Sequence, residues 1–226
     1  PMTTTAIRRN PESIDDALLE KYQGQAAALM HEALGKRGAF TNDFRPAWPG
    51  ARCVGRALTV QGWPGDNLML HKAISLARPG DVLVAAVNGF TEGGLWGEIA
   101  TIAAMEKGIQ GLVTDGAVRD VDPIQKLGFG VFSRGLSIKG TTKKQGGLIN
   151  HPISIGGVIV YPGDIIVADG DGVVSIPFQE AASALESAAQ IEAREAEIIA
   201  GIRRGELTID LLGLRDALQA LGLDDN

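Results

Sequence analysis

The chain has a single cysteine, Cys53, among 226 residues. One thiol excludes an internal disulfide and any cysteine-rich zinc centre, and a reducing, cytoplasmic setting is expected. Aromatic residues make up only 5%, so the core is not expected to rest on bulky rings. No run reaches 18 consecutive apolar residues, so no membrane-spanning helix is expected. The opening PMTTTAIRRNPES lacks the apolar stretch of a secretory leader. A basic excess is missing too: the net charge is −6, which disfavours a nucleic-acid partner. His31, His71 and His151 form no His-x-x-x-His pair, so they are not expected to make a zinc site. A Gly-x-Ser-x-Gly elbow, a Gly-x-Gly-x-x-Gly fingerprint and a phosphate-loop lysine are all missing. Their absence argues against an α/β-hydrolase and against nucleotide binding. Lysine Schiff-base chemistry stays open, because any of several lysines could be buried.

What is abundant is glycine, 30 residues against a typical ~7%. Such a content points to tight turns and close backbone approaches. The periodicity predicts two helices over residues 11–35, the second ending at Gly35. A strand over CVGRALTVQG and a helix over DNLMLHKAISLA follow. VLVAAV and IQGLVTD are short apolar runs of the buried-strand type, with the helix EIATIAAMEKG between them. That succession predicts parallel α/β units, whose ligands gather at the carboxyl ends of the strands. After Phe129 the pattern turns to short β segments. One long helix is predicted over residues 177–204, and a last one over DLLGLRDALQALG. Pro-Gly-Asp occurs at 64–66, 79–81 and 162–164. The second and third read as turns, whereas Asp66 or Asn67 can cap the helix that follows the first.

The polar residues concentrate between 92 and 122. GGLWGE opens a helix, and N–H groups at a helix start can bind a carboxylate or phosphate. The same stretch also fits a plain glycine-rich connection. DGAVRDVD places three acids and one arginine after a buried strand. Arginine can grip a carboxylate with two parallel bonds, and a carboxylate here can hold Mg²⁺. The alternative is a surface turn in which Asp120 or Asp122 caps the next helix.

Taken together, Glu98, a gap of twenty residues and then Arg119-Asp120 resemble the acid-x20-Arg-Asp signature of class II pyruvate aldolases. Those enzymes cleave 4-hydroxy-4-methyl-2-oxoglutarate or 4-carboxy-4-hydroxy-2-oxoadipate. Their superfamily also holds the regulator of ribonuclease E activity A (RraA). MHEALG, PGDNLMLH, PGDVLVAAV, VTDGAVRDV, IKGTTK and PGDIIVADGDGVVSIP carry the resemblance in order along most of the chain.

The resemblance implies one RraA-like domain over 1–226: an α/β swivelling-domain sandwich with flanking N- and C-terminal helices, assembled as a trimer or hexamer with sites between subunits. It implies Asp120 as the ligand of Mg²⁺ or Mn²⁺, with Glu32 and Glu195 reaching the metal waters from a neighbouring subunit. Arg119 would bind the pyruvyl carboxylate or keto oxygen. The N–H groups of Gly94, Leu95, Trp96 and Gly97 would cradle the carboxylate, and Asn67 and His71 would border the site. Arg119, Glu98 and Glu195 would carry the catalysis. The implied reaction is retro-aldol cleavage of a 4-hydroxy-2-oxo diacid through a metal-stabilised pyruvate enolate. Oxaloacetate decarboxylation would be a side activity, and degradation of aromatic compounds the setting. Two alternatives are an oxaloacetate decarboxylase or other 2-oxo-acid lyase, and a non-catalytic protein-binding regulator. Glu98 departs from the aldolases, which typically carry Asp there. Retention of Asp120 favours an enzyme over a regulator.

Overall fold

The computed structural model describes residues 6–223. The opening PMTTT, part of the stretch read above for a leader, lies outside the described residues. Two short helices come first, α1 (Asp16–Glu20) and α2 (Ala27–Ala33). They are shorter than the sequence pattern suggests: Asp15 caps α1 through Leu18 N at 2.8 Å, and Gly24 at φ 86° separates the two. Gly35, at φ 66°, ends α2 as expected.

The elements that follow are β1 (Arg45–Pro46), β2 (Cys53–Gln61), α3 (Leu68–Leu76), β3 (Asp81–Ala86), α4 (Glu98–Glu106), β4 (Gly111–Thr114), β5 (Ala117–Val118), α5 (Val121–Leu127), β6 (Gly130–Ser133) and β7 (Gly135–Leu136). Strands β2, β3, β4 and β6 are parallel neighbours, and α3, α4 and α5 are their crossovers. Then come β8 (Leu148–Ile149), β9 (Ile153–Ile155), β10 (Val158–Val160), β11 (Ile165–Asp169) and β12 (Gly172–Ile176). The sheet runs β1-β6-β4-β3-β2-β11-β12, with β11 antiparallel to both β2 and β12, and β8 paired to the end of β2. This is the mixed α/β architecture expected, with helices flanking the sheet.

The run VLVAA is continuous because both faces of the sheet are covered. Leu83 and Ala85 pack with α3, α4 and α5 through Leu70, Ala100, Ala104 and Ile124. Val82, Val84 and Ala86 point the other way, into a second cluster with the β9–β10 hairpin and β11. Gly156 and Gly157, at φ 59° and 79°, make the tight turn of that hairpin. Cys53 belongs to the second cluster, and burial pushes its thiol up to about 12, which removes it from thiolate chemistry.

The second and third Pro-Gly-Asp segments form the same kind of turn. Asp81 Oδ2 accepts from Arg78 N and Asp164 Oδ2 from Tyr161 N, with Gly80 and Gly163 at φ 87° and 88°. Asp164 is buried, and desolvation raises its carboxyl to about 6 despite bonds from Tyr161 N and Phe178 N. A carboxyl raised above its unfolded value of 3.8 favours folding at low pH, and that advantage is lost as pH rises toward 6. Asp164→Asn is therefore expected to cost less at pH 7.5 than at pH 4.5, by roughly 2 kcal/mol. Denaturant unfolding of wild type and variant at both pH values measures that difference. An equal cost at both would contradict it.

A 3-10 turn (Phe178–Glu180) leads into α6 (Ala181–Arg203), followed by α7 (Thr208–Leu211) and α8 (Arg215–Ala220). The contacts divide the chain into two compact units, one through Leu185 and one from Glu186. The long helix lies where the sequence places it. The final helix does not form as one piece: Gly213, at φ 64°, breaks it into α7 and α8. Within the second unit Leu211 packs over Gly201, and Arg215 pairs with Asp210. No helix among the described residues is long and apolar enough to cross a membrane.

Candidate functional site

Both polar loops leave the carboxyl ends of parallel strands, β3 and β4, and the fold lays them side by side. Leu95 N donates to Ala117 O and Arg119 N to Trp96 O, each at 2.9 Å. The Trp96 ring is buried against Phe129, and its Nε1 donates to Thr101 Oγ1 at 2.7 Å. Thr101 in turn bonds Gly97 O, which fixes the start of α4. Sequence reasoning passed over Thr101, since one Thr in an alanine-rich helix carries no signal.

Asp120 sits at the N-terminus of α5 in the left-handed region, φ 58° and ψ 43°. It gives α5 no side-chain cap, contrary to the capping alternative. Its carboxylate turns to the other helix: Oδ2 accepts Glu98 N at 3.1 Å, the first N–H of α4. Arg119 Nε lies 3.8 Å from the same oxygen. Oδ1 takes no hydrogen bond from the described residues. Both side chains stay partly exposed, Arg119 at 45% and Asp120 at 40%. They open on a cavity of about 340 Å³ walled by Val118, Val121 and the segment Leu136–Ile138.

The glycines let this happen. A Cβ on Gly97 would overlap Asp120 Oδ2, and one on Gly94 would overlap Ser137 O. Gly97→Ala is expected to displace Asp120 and lower turnover about a hundredfold with little change in melting temperature. Wild-type kinetics in that variant would contradict it.

The expected N–H cradle is smaller than the sequence suggests. Gly94 N is spent on Lys139 O and Leu95 N on Ala117 O, both at 2.9 Å. Trp96 N and Gly97 N have no partner among the described residues. The Leu95 and Trp96 side chains are core, so only their backbone faces the loop.

Asp115 is no metal ligand candidate. Its oxygens accept Val87 N at 2.6 Å and Gly89 N at 2.8 Å, and burial raises its carboxyl. It ties down the loop in which Asn88 and Gly89 take positive φ. Asp122 is exposed on α5.

Asn67 is buried at the site's inner wall. Its Nδ2 donates to Leu95 O at 2.8 Å, while Oδ1 is enclosed without a partner. His71 follows one turn later on α3, half-buried. Burial, then the charge of Lys143, holds its imidazole below the usual value. The IKGTTK loop closes this wall, held by Asp66, which accepts from Leu68 N, Thr142 Oγ1, Lys144 N and Gln145 N. Burial alone would raise the Asp66 carboxyl, but these bonds outweigh it and hold it low. Of the two capping candidates, Asp66 caps α3 and Asn67 does not.

Glu98 is exposed on the first turn of α4 beside Asp120. Glu32 is exposed on α2, pairs with Lys36 at 3.8 Å, and sits on a helix packed against β11 and β12, three and four strands across the sheet from β4. Glu195 is exposed on α6 in the second unit. One chain therefore brings together Glu98, Arg119 and Asp120, ties Asn67 to the same glycine-rich loop through Leu95 O, and does not bring Glu32 to Asp120.

A mixed α/β fold with an Arg-Asp pair over a glycine-rich helix start defines the class. The chain belongs to the RraA-like family, whose model, described as Aldolase/RraA, matches residues 13–175. A relative from Halalkalibacterium halodurans, provisionally named a 4-hydroxy-4-methyl-2-oxoglutarate aldolase, is 40% identical over 75% of this chain and 82% of its own. A crystal structure of an uncharacterized protein from Pseudomonas syringae pv. tomato superposes with TM-score 0.80 at 30% identity, covering 93% of this chain and all of that one. Streptomyces coelicolor RraAS2, described as an unusual member of the RNase ES inhibitor RraA family, superposes with TM-score 0.73 at 27% identity, covering 83% and 98%.

Proposed function

We propose that this protein is a divalent-metal-dependent lyase that cleaves a 4-hydroxy-2-oxo diacid, 4-hydroxy-4-methyl-2-oxoglutarate or 4-carboxy-4-hydroxy-2-oxoadipate, to pyruvate and a second oxo acid. The observation that carries this reading is the Arg119–Asp120 pair, exposed side by side above the first N–H groups of α4. The aldolase name of the Halalkalibacterium relative supports it.

Among the described residues no three His, Cys, Asp or Glu side chains form a ready-made metal cage. Asp120 keeps one oxygen uncommitted, and the exposed Glu98 stands beside it. That donor set fits Mg²⁺ or Mn²⁺, ions that keep several waters and take further oxygens from a substrate. Asp120 would hold the ion, which as a Lewis acid polarises the 2-oxo group when bound.

The chain's own groups do the rest. The Arg119 guanidinium holds the pyruvyl carboxylate or keto oxygen, and its fixed charge opposes the negative charge that gathers there. Trp96 N and Gly97 N offer the donors for a carboxylate. Glu98 takes the proton from the C4 hydroxyl. The C3–C4 bond then breaks, C4 becomes the carbonyl carbon of the departing oxo acid, and the electron pair passes to the pyruvate enolate. Return of the proton to C3 yields pyruvate. Oxaloacetate, on losing CO₂, leaves the same enolate and is the expected side substrate. The reading includes a trimer or hexamer in which Glu32 and Glu195 come from a neighbouring subunit. Light scattering checks that.

Pyruvate release, coupled to lactate dehydrogenase, tests the proposal. The three substrates are supplied with Mg²⁺, Mn²⁺ or EDTA. Metal-dependent release from a hydroxy-oxo diacid supports the aldolase, and release from oxaloacetate alone favours a decarboxylase. No release from any of the three sinks both readings. It would bring forward the second reading, a non-catalytic binding regulator, which the likeness to RraAS2 favours.

A further inference from the structure

A cavity larger than the one at Arg119 and Asp120 lies away from this site. It measures about 750 Å³ and is walled mainly by apolar groups, among them Leu34, Val158, Tyr161, Pro177 and Phe178. Its floor is Asp164, the residue before β11, and Ile165 pairs with Arg56 on β2, which pairs with Asp81, the first residue of β3. The cavity thus sits toward the amino end of β3. The Arg119–Asp120 site sits past the carboxyl end, roughly 17 Å away along a six-residue strand.

Two features mark this cavity as built for a ligand. The first is Asn150, only 6% exposed, with φ 58°. Its Nδ2 donates to Arg8 O at 3.0 Å, which fixes the orientation of the amide. The remaining oxygen, Oδ1, is enclosed and has no partner, and the residue lines the cavity. A buried acceptor without a donor is costly, and a ligand O–H or N–H would satisfy it.

The second is charge. The segment through Arg8 is clipped to β8 by Arg8 N to Ile149 O at 3.1 Å and Ile149 N to Ala6 O at 3.0 Å. This delivers Arg8 and Arg9 to the rim, and neither has an acidic partner among the described residues. The third arginine at the rim, Arg37, is already paired with Glu180 at 2.6 Å. The acids on the lining are Glu12, exposed, and Asp164, buried at the floor, so the uncompensated positive charge is confined to the mouth at Arg8 and Arg9.

We propose that this cavity is a second ligand site, for an amphipathic organic anion. Arg8 and Arg9 hold its acidic group at the mouth, the apolar wall takes its body, and its hydroxyl or amine donates to Asn150 Oδ1. Such an occupant is chemically unlike a short oxo diacid, which has no apolar body to bury. The site is therefore separate from the lyase centre, and its occupant acts as an effector or cargo.

Anilinonaphthalenesulfonate has all three parts: a sulfonate, a flat apolar body and one N–H. Fluorescence titration of the full chain is expected to show one saturable site per chain. Arg8→Glu with Arg9→Glu is expected to weaken it about tenfold or more. Neutral N-phenylnaphthylamine is expected to be insensitive to that double change. Asn150→Gly accepts the same positive φ and removes Oδ1, so it is expected to weaken binding severalfold while the fold is kept. Pyruvate release by these variants is expected to stay within about twofold of wild type. Three results would each overturn the proposal: no saturable binding to the wild type, equal affinity in both variants, or displacement of the dye by pyruvate with Mg²⁺.

Discussion

Asp120→Ala is expected to lower metal-dependent pyruvate release about a thousandfold, at the upper end of what loss of one charge-stabilising group costs. The size follows from its two tasks. Oδ2 closes the first N–H of α4, and Oδ1 is the uncommitted oxygen beside Arg119. Without it the guanidinium remains, but nothing would anchor the proposed ion that is to polarise the oxo group. Asp120→Asn separates charge from shape. Asparagine tolerates the left-handed backbone at φ 58° and keeps an acceptor for Glu98 N, so the fold should survive. Its turnover should fall nearly as far as that of the alanine variant, and titration with Mn²⁺ should show weakened binding at an unchanged melting temperature. Full activity in Asp120→Asn would remove Asp120 from the metal role and with it the class of reaction proposed.

Asp66→Ala is expected to be the most destabilising single change at the site's periphery, by about 3 kcal/mol. The carboxylate is buried and accepts from Leu68 N, Thr142 Oγ1, Lys144 N and Gln145 N, so its removal leaves three backbone donors unanswered and the hydroxyl with only its long bond to Gly65 O. The loss should be local as well as global. Amides of the IKGTTK loop should exchange faster with solvent, and KM should rise more than kcat falls, because the loop walls the site without touching Asp120. The carboxyl is held low by these bonds, so its contribution is present above its unfolded value and is lost as pH falls through its folded one. Protection of the 139–145 amides should therefore drop on acidification in the wild type and stay unchanged in Asp66→Asn. Equal protection in wild type and Asp66→Ala would show that the loop is held by other contacts.

The sequence by itself determined the order of parallel strands and crossover helices. A run such as VLVAA has only one way to bury both faces, and glycines at 35, 108 and 163 stop or turn the chain wherever they fall. It also determined that Arg119 and Asp120 are a candidate pair, since neighbours in sequence need no fold to meet. It misjudged the last helix, because leucine-rich helical periodicity ran through a glycine that takes a positive φ. Tertiary structure alone decided which oxygens and N–H groups are spare. DGAVRDVD offers three similar carboxylates, yet Asp115 is consumed by Val87 and Gly89, Asp122 faces solvent, and only Asp120 reaches the start of α4. Gly94 to Gly97 offer four similar N–H groups, yet two of them are taken by Lys139 O and Ala117 O, twenty or more residues away. Nor could spacing reveal that Arg8 and Asn150 share one cavity 142 positions apart. Local propensity depends on near neighbours, whereas the satisfaction of a buried polar atom depends on whatever the fold sets opposite it.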